Sequence, residues 1–200
     1  MSLQVLKESG GVYDPVFLKI LEDIPGGVTI KTNRFPSGTK EIKKGALLNA
    51  SASSLGLYNV IKTVRLTATG VSGATVLAVE PTDHLFKVDE LIFLWGATAG
   101  TIIRVSSTAI AINCTMLGTG GPVASGAVLY EALSQAASTA KYDTDAILRD
   151  TVEVRKDGIT TLLDNLFAGA VVRGTVDESE LPYFVTDIAK IDLTARIRFA

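Results

Sequence analysis

The sequence is poor in the residues that build most reactive sites. Its 200 residues include one cysteine and one histidine. A lone cysteine, Cys114, excludes an internal disulfide and a cysteine-ligated zinc site, and a lone histidine, His84, excludes most other metal constellations. No phosphate-loop, dinucleotide-binding or nucleophile-elbow motif stands between a predicted strand and a predicted helix. We therefore expect a protein that is not an enzyme and that holds no metal or cofactor.

Charge and long apolar runs are also scarce. Charged residues make up 20% of the chain and the net charge is −2, so no basic excess points to nucleic acid. The longest uncharged stretch, residues 105–130, contains glycines, a proline and alternating apolar residues, which indicates strands and turns and not a spanning helix. The first residues, "MSLQVLKESGGVYD", lack the apolar core of a signal peptide. These features predict no nucleic-acid partner, no membrane association and synthesis in the cytoplasm without export.

What the sequence has in abundance is a hydrophobic period of two. Residues 110–116 and 191–199 alternate apolar and polar positions, and residues 60–66, 74–79, 85–88 and 101–105 are β-rich runs of strand length. Glycine-rich turn signals separate these runs. Short strands at about ten-residue spacing are typical of an all-β sandwich or barrel. We expect an all-β fold with little helix, built as a small sandwich or barrel core.

Helical signals are scarce and fall in three places, one of which, "EALSQAAS" at residues 131–138, fits either a short helix or the tip of a mobile loop. Residues 14–23, "DPVFLKILED", put Val16, Phe17, Ile20 and Leu21 on one helical face, and "DIAKI" near Asp187 predicts one further turn. Three zones follow from the pattern. Residues 1–30 are predicted to form an N-terminal arm, residues 31–66 and 128–200 a β core, and residues 67–127 an inserted small β module.

The segment "AGAVVRGTVDESELPY", residues 168–183, places three carboxylates directly after a strand. Asp177 and Glu180 have the spacing of a capping box, and Pro182 limits any helix to one turn. We interpret the segment as a structural corner at an exposed edge of the sheet. The alternatives are a metal site and a small hydrolase that uses Asp177, Glu178 and Glu180.

Several motifs resemble those of tailed-bacteriophage head decoration and head fibre proteins. "DAILRDTVEVRKDGITTLLDNLFAGAVVRGTVDESELP", residues 145–182, is similar to the strand, acidic turn and "L-P" of the decoration-protein core. "FPSGTKEIKKGALLNAS" resembles the first core strand of that family, and "HLFKVDELIFLWGATAGTI" resembles small β modules of head fibre proteins. In the last segment Asp89-Glu90 replaces the Gly-Asp of the family pattern.

The resemblance implies a non-enzymatic virion protein on the outer surface of a phage head. It implies a homotrimer that cements the capsid, with the major capsid protein as partner. The strand predicted at residues 191–199 also favours a trimer, because its apolar face needs a partner to shield it from water. Under this hypothesis the capsid-docking residues lie in the arm and in a basic hairpin, namely Val12, Tyr13, Phe17, Ile20, Lys40, Lys43 and Lys44. The alternative is a β module that binds carbohydrate or a host surface through Trp95, Tyr58 and Tyr130, although only 6% of the residues are aromatic.

Overall fold

The computed structural model describes residues 16–51, 56–70, 75–81, 84–93, 99–112, 124–134, 140–154 and 165–200. In these residues the chain is mostly strand with one α-helix, which confirms the predicted all-β class with minor helix. In chain order the strands are β1 (Phe17–Asp23), β2 (Val28–Lys31), β3 (Glu41–Ile42), β4 (Leu47–Ala50), β5 (Leu57–Val60), β6 (Thr63–Arg65), β7 (Val76–Ala78), β8 (Leu91–Phe93), β9 (Gly100–Val105), β10 (Ala109–Ile112), β11 (Val128–Glu131), β12 (Ala146–Leu148), β13 (Val152–Glu153), β14 (Asn165–Ala168), β15 (Ala170–Val176) and β16 (Ile197–Phe199). A 3-10 turn (Glu178–Glu180) and helix α1 (Asp187–Leu193) lie between β15 and β16.

The larger sheet curls into a half-barrel. Its strand order is β1-β15-β12-β4-β5-β2-β14, with β16 also paired to β15. Gly174 of β15 is opposite Ile20 of β1 and also opposite Ile197 of β16, so these two strands occupy opposite edges of β15. A short pair, β13-β3, stands apart from the large sheet. β15 is therefore the strand on which both terminal strands of the described chain are assembled.

A second sheet has the order β6-β11-β8-β9-β10-β7 and uses only strands between Thr63 and Glu131. Its buried face forms a core of its own, which includes Val64, Phe86, Ile92 and Ile102. The predicted strand at residues 101–105 lies within β9, and that at 74–79 contains β7. Whether residues 67–127 fold as a separate module stays a prediction.

The large sheet has a buried apolar cluster on each face. One face packs around Ile30, Ile42, Leu48 and Leu148, all of which are fully buried. On the other face a smaller cluster includes Leu47, Ile147, Val171, and Ala189 and Leu193 of α1. Val28 and Ile30 of β2 are thus core residues, although the sequence analysis assigned them to the arm.

The predicted helix at residues 14–23 is wrong where the structure describes it, because Phe17–Asp23 is the edge strand β1. Its antiparallel register with β15 slips after Phe17, after Ile20 and after Glu22, and the first two bulges insert Leu18 and Leu21 into β1. Two bulges destroy the period of two and give the apolar residues a helix-like spacing. Pairing with a strand about 150 residues away overrides this local pattern.

The predicted strand at residues 191–199 is also wrong over residues 191–196. The helical turn predicted near Asp187 is confirmed and extends to Leu193, with Thr186 as its cap, since the Thr186 hydroxyl accepts a hydrogen bond from Ala189 N at 3.1 Å. Only Ile197–Phe199 forms a strand, and Leu193 and Ile197 are buried within the same chain. Of the apolar residues predicted to need cover from another subunit, Leu193 and Ile197 are therefore covered within the chain, whereas Ile191 is exposed on α1.

Two further strand predictions needed correction. The run 60–66 breaks at Ile61 and Lys62, so that β5 belongs to the large sheet and β6 to the second sheet. Residues 85–88 form no strand and instead lead into a turn at Asp89, which has φ of 70°. The segment around Lys62 is consequently the point where the chain passes from one sheet to the other.

Candidate functional site

The edge strand β1 carries an unusual amount of exposed apolar side chain. Residues 18–22 are all exposed, with Leu18 at 53%, Ile20 at 44% and Leu21 at 58%. Only the ends are anchored: Val16 is buried, and Phe17 packs partly against the α1 cluster. We call Phe17, Leu18, Ile20 and Leu21 the β1 surface. Two of its residues, Phe17 and Ile20, were predicted for docking, whereas the two leucines were not.

Close approach of β1 to β15 depends on Gly174. A Cβ at Gly174 would lie 2.4 Å from the Lys19 carbonyl oxygen, a distance that no real side chain tolerates. The exposed charges at the other end of β1 meet neighbours on the sheet, with Asp23 bound by Arg149 at 2.7 Å and Glu22 near Arg173 at 3.7 Å. The strand is thus held by its backbone and by surface ion pairs, and its apolar side chains remain free to contact something else.

The basic residues predicted for docking fall in two places. Lys43 and Lys44 form a turn that ends at Gly45, whose φ of 88° favours glycine. A Cβ at Gly45 would meet Leu181, Pro182 and Val16, so this turn packs against the beginning of β1 and against the acidic corner. Lys40 is exposed and lines a separate cavity of about 500 Å³ beside His84. Val12 and Tyr13 lie outside the described residues.

The acidic corner, residues 177–182, is the single turn that the sequence predicted. Asp177 Oδ1 accepts hydrogen bonds from Ser179 N at 3.0 Å and Ser179 Oγ at 2.7 Å, and Pro182 follows directly. The predicted capping box is wrong in both halves: the Asp177 carboxylate accepts from Ser179 N and not from Glu180 N, and Asp177 N donates to Val16 O at 2.9 Å and not to the Glu180 side chain. Glu178 pairs with Lys190 of α1 at 2.7 Å.

The sequence predicted that the corner lies at an exposed edge of the sheet. This prediction is wrong. Tyr183 is 6% exposed, and β15 has neighbours along both edges. Within the described residues no three His, Cys, Asp or Glu side chains are grouped so as to hold a metal ion. The carboxylates of this corner thus serve the turn and the docking of α1.

A buried ionic cluster joins the two sheets and was not foreseen. Lys62 has no exposed side-chain surface; its Nζ donates to Arg34 O at 2.5 Å and pairs with Glu90. Glu131, 2% exposed, accepts from both Arg34 and Lys141. Burial lowers the pKa of Lys62 to about 8, and the neighbouring Glu90 opposes part of that shift. The only signal in the sequence was a lysine inside an apolar run.

Beside this cluster lies a polar cleft of about 770 Å³. Its floor is the end of strands β2, β4 and β5, and one wall is the segment before β12, with Lys141, Tyr142 and Asp143. Arg34 and Lys141 lie over the Tyr142 ring, 4.8 and 5.4 Å from its centroid. The Nη1 atom of Arg34 is buried and has no hydrogen-bond partner in the parts of the chain that the structure describes.

The residues of the other hypotheses do not assemble into a site. Tyr130, predicted as a stacking platform for sugars, is 4% exposed and cannot serve, and burial raises its pKa to about 12. Tyr58 is half-buried, while Trp95 and Cys114 lie outside the described residues. The Nε2 atom of His84 lies 3.0 Å from Ser106 O, and its Nδ1 is buried without a partner among the residues the structure describes. His84 is therefore placed as a buried loop residue.

Comparison with known proteins gives no neighbour for this arrangement. No family model, no curated protein and no solved structure matches the chain. In the described part of the chain no helix has the length and apolar character needed to cross a membrane. Any function must therefore be argued from the surfaces described above.

Proposed function

We propose that the protein is a non-enzymatic virion component that decorates and stabilises the outside of a phage head by binding the major capsid protein. The observation that carries this proposal is the β1 surface. It is an apolar strip on an edge strand, and it lies next to a basic turn and an acidic corner. The motifs that resemble decoration proteins support the same conclusion.

An edge strand with this composition is suited to protein contact. Edge strands present unpaired backbone N–H and C=O groups, and they are ordinarily protected by charge or by burial of their side chains. In β1 the bulges turn two leucines outward instead, with more than half of each side chain exposed. Binding of a flat capsid surface, or of an extended capsid segment along the free edge, would cover this apolar area. The adjacent Lys43 and Lys44 would give the contact a favourable charge for an acidic partner.

The homotrimer stays part of the proposal but needs a new argument. The apolar face of the last strand no longer supports it, because Leu193 and Ile197 are buried in the same chain. Other exposed apolar residues are Phe167 on the opposite edge strand, at 71%, and Ile103 on the second sheet, at 55%. These surfaces are separate from β1, so a trimer can form through them while β1 contacts the shell.

Capsid binding is tested in two steps: a search of the neighbouring genes for a major capsid protein, and co-sedimentation of this protein with heads assembled from it. The double variant Leu18→Lys/Leu21→Lys puts two charges on the β1 surface, and we expect it to lower the affinity about ten-fold or more. Ile191→Lys is the matched control, because Ile191 is 73% exposed on α1, and it should bind like the unaltered protein. Failure of the unaltered protein to bind, or equal binding by the double variant, would contradict the proposal.

A further inference from the structure

One face of the large sheet is apolar at one end of its strands and polar at the other. Where α1 covers it, this face consists of Leu47, Ile147 and Val171. Two residues beyond Leu47, on the same face of β4, lies Asn49, which lines the polar cleft. The cleft is therefore the uncovered continuation of a face that is apolar and buried elsewhere.

A row of polar side chains crosses the strands at that level. Asn49 of β4 is directly opposite Asn59 of β5. Ile30 pairs with Tyr58, so Lys31, the next residue of β2, continues the row beside Asn59. Lys31 is in turn opposite Asn165 of β14. Neighbours in such a row project from the same face of the sheet, so three amides and one ammonium group stand side by side.

One of these amides is held in place by hydrogen bonds, and a second is buried. The Nδ2 of Asn49 donates to Asp143 O at 2.8 Å and to Asp145 Oδ2 at 3.2 Å, which leaves its carbonyl oxygen as an acceptor. Asn59 is only 6% exposed and yet lines the cleft. Burial of an asparagine beside an open cavity is costly unless its donor and acceptor groups are used.

The chemistry of the lining selects among small ligands. An anion would call for donors only and a cation for acceptors only. This cleft mixes donors and acceptors: asparagine amides, a carboxylate on Asp143 and the cationic groups of Lys31, Arg34 and Lys141. Glu131 pairs with both Arg34 and Lys141, so Lys31 is the cation of the lining that faces the ligand without that partner. A hydroxyl group both donates and accepts, so a ring that carries several hydroxyls matches a mixed lining. A volume of about 770 Å³ is within the range of sites for small ligands.

We propose that this cleft binds a neutral sugar, either a single hexose ring or the end of a short glycan. Lys31, Asn49, Asn59 and Asp143 contact the hydroxyls. Arg34, fixed by Glu131 and by the Tyr142 ring, forms the rigid wall against which the sugar rests. None of the aromatic residues that the sequence suggested for sugar binding is needed. The proposal does not rest on capsid binding.

The experiment is an amide NMR titration of the full chain with D-glucose, D-galactose and N-acetyl-D-glucosamine, each up to about 50 mM, alongside a glycan panel for longer sugars. We expect at least one sugar to shift the side-chain amide signals of Asn49 and Asn59, and of Asn33, which also lines the cleft. Sodium acetate and methylammonium chloride, which carry a lone charge, should leave them in place.

Two variants with matched controls locate the site. Lys31→Ala and Asp143→Ala each remove one contact and should weaken sugar binding about ten-fold. Lys19→Ala and Asp150→Ala make the same charge changes at exposed positions outside the cleft and should not. If a variant does not fold, the amide shifts of the unaltered protein still locate the ligand.

Three results would overturn the sugar site: no sugar binds in either assay, acetate or methylammonium shifts the same amides as far as the sugar does, or the cleft variants bind like their controls. Because the isolated protein is used, such a failure leaves the capsid proposal unaffected.

Discussion

At the scale of single residues, Asp177 decides whether the acidic corner forms. Its carboxylate accepts from both the backbone N and the hydroxyl of Ser179, so Asp177→Ala should cost about 0.5–2 kcal/mol, as the loss of a helix cap does. A complete capping box would make Glu180→Ala equally costly. Since Asp177 N is bound to Val16 O instead, Glu180→Ala should cost less than about 0.5 kcal/mol. Urea unfolding of both variants separates these two outcomes.

The corner carboxylates should also be indifferent to calcium. Asp177 is engaged with Ser179 and Glu178 with Lys190, and a calcium ion needs six or more oxygen ligands. Addition of calcium should leave the melting temperature unchanged. A rise of several degrees that disappears in Glu178→Ala would show that these residues bind metal.

Lys62 predicts how stability changes with pH. Its pKa is about 8 in the folded protein against 10.5 in the unfolded chain. Below pH 8 both states hold the proton, whereas between pH 8 and 10.5 the unfolded chain holds a proton that the folded protein has released. The free energy of unfolding contributed by this residue therefore rises with pH in that window, by at most about 1.4 kcal/mol per pH unit.

The test compares the protein with Lys62→Met/Glu90→Gln, which removes both charges of the pair. Chemical denaturation at pH 7.5 and 9.5 measures the free energy of unfolding of both proteins. The value for the unaltered protein minus that for the variant should be larger at pH 9.5. Measurements should stay below pH 10. Above pH 10 the raised pKa of Tyr130 makes the free energy of unfolding fall as the pH rises. An unchanged difference would mean that Lys62 is not buried as described.

At the scale of elements, the attachment of β1 should depend on one glycine. Gly174→Ala brings a Cβ against the Lys19 carbonyl oxygen, so β1 must move away from β15, at a cost of about 1–3 kcal/mol. Gly38→Ala is the matched control, since nothing lies within 4 Å of the added Cβ. Hydrogen exchange should show faster exchange of the β1 amides in the first variant only. Equal protection in both variants would contradict the role given to Gly174.

Strands with a regular backbone could be predicted from the sequence, whereas elements with an irregular backbone could not. β9 and β10 were found because a regular alternation with one buried face leaves a period of two in the sequence. β1 was missed because bulges at Leu18 and Leu21 erase that period. The start of α1 was predicted, but its end was assigned to a strand because Ile191 and Leu193 continue the apolar alternation of the residues that follow. Local pattern is reliable only where the backbone is regular.

The sites were harder to predict than the strands. The acidic corner was found because its residues are consecutive. The ionic cluster joins Arg34, Lys62, Glu90 and Glu131, which are separated by dozens of residues and meet only through the sheet order. The same holds for the cleft, where Asn49 and Asn59 become neighbours of Asp143 by strand pairing. No spacing in the sequence encodes such contacts.

At the scale of the whole molecule, the prediction is self-association. Light scattering at micromolar concentration should give three times the chain mass of 21.1 kDa. Phe167→Lys, which charges a side chain that is 71% exposed, should weaken the assembly if β14 takes part in it. A monomer under these conditions would remove the trimer from the proposal while leaving capsid binding open to its own test.

The position of β15 also sets an order of events during synthesis. Phe17 pairs with Val176, so β1 leaves the ribosome long before its partner strand exists. At roughly 5–20 residues per second, about 150 residues take roughly 8–30 s to be added. Throughout that interval Leu18, Ile20 and Leu21 have no sheet to join and are open to chaperones or to other nascent chains. Pairings at such long sequence separation also close slowly. The strand that we propose for capsid binding is therefore among the last parts of the protein to be completed, and a head would receive it only from a fully synthesised chain.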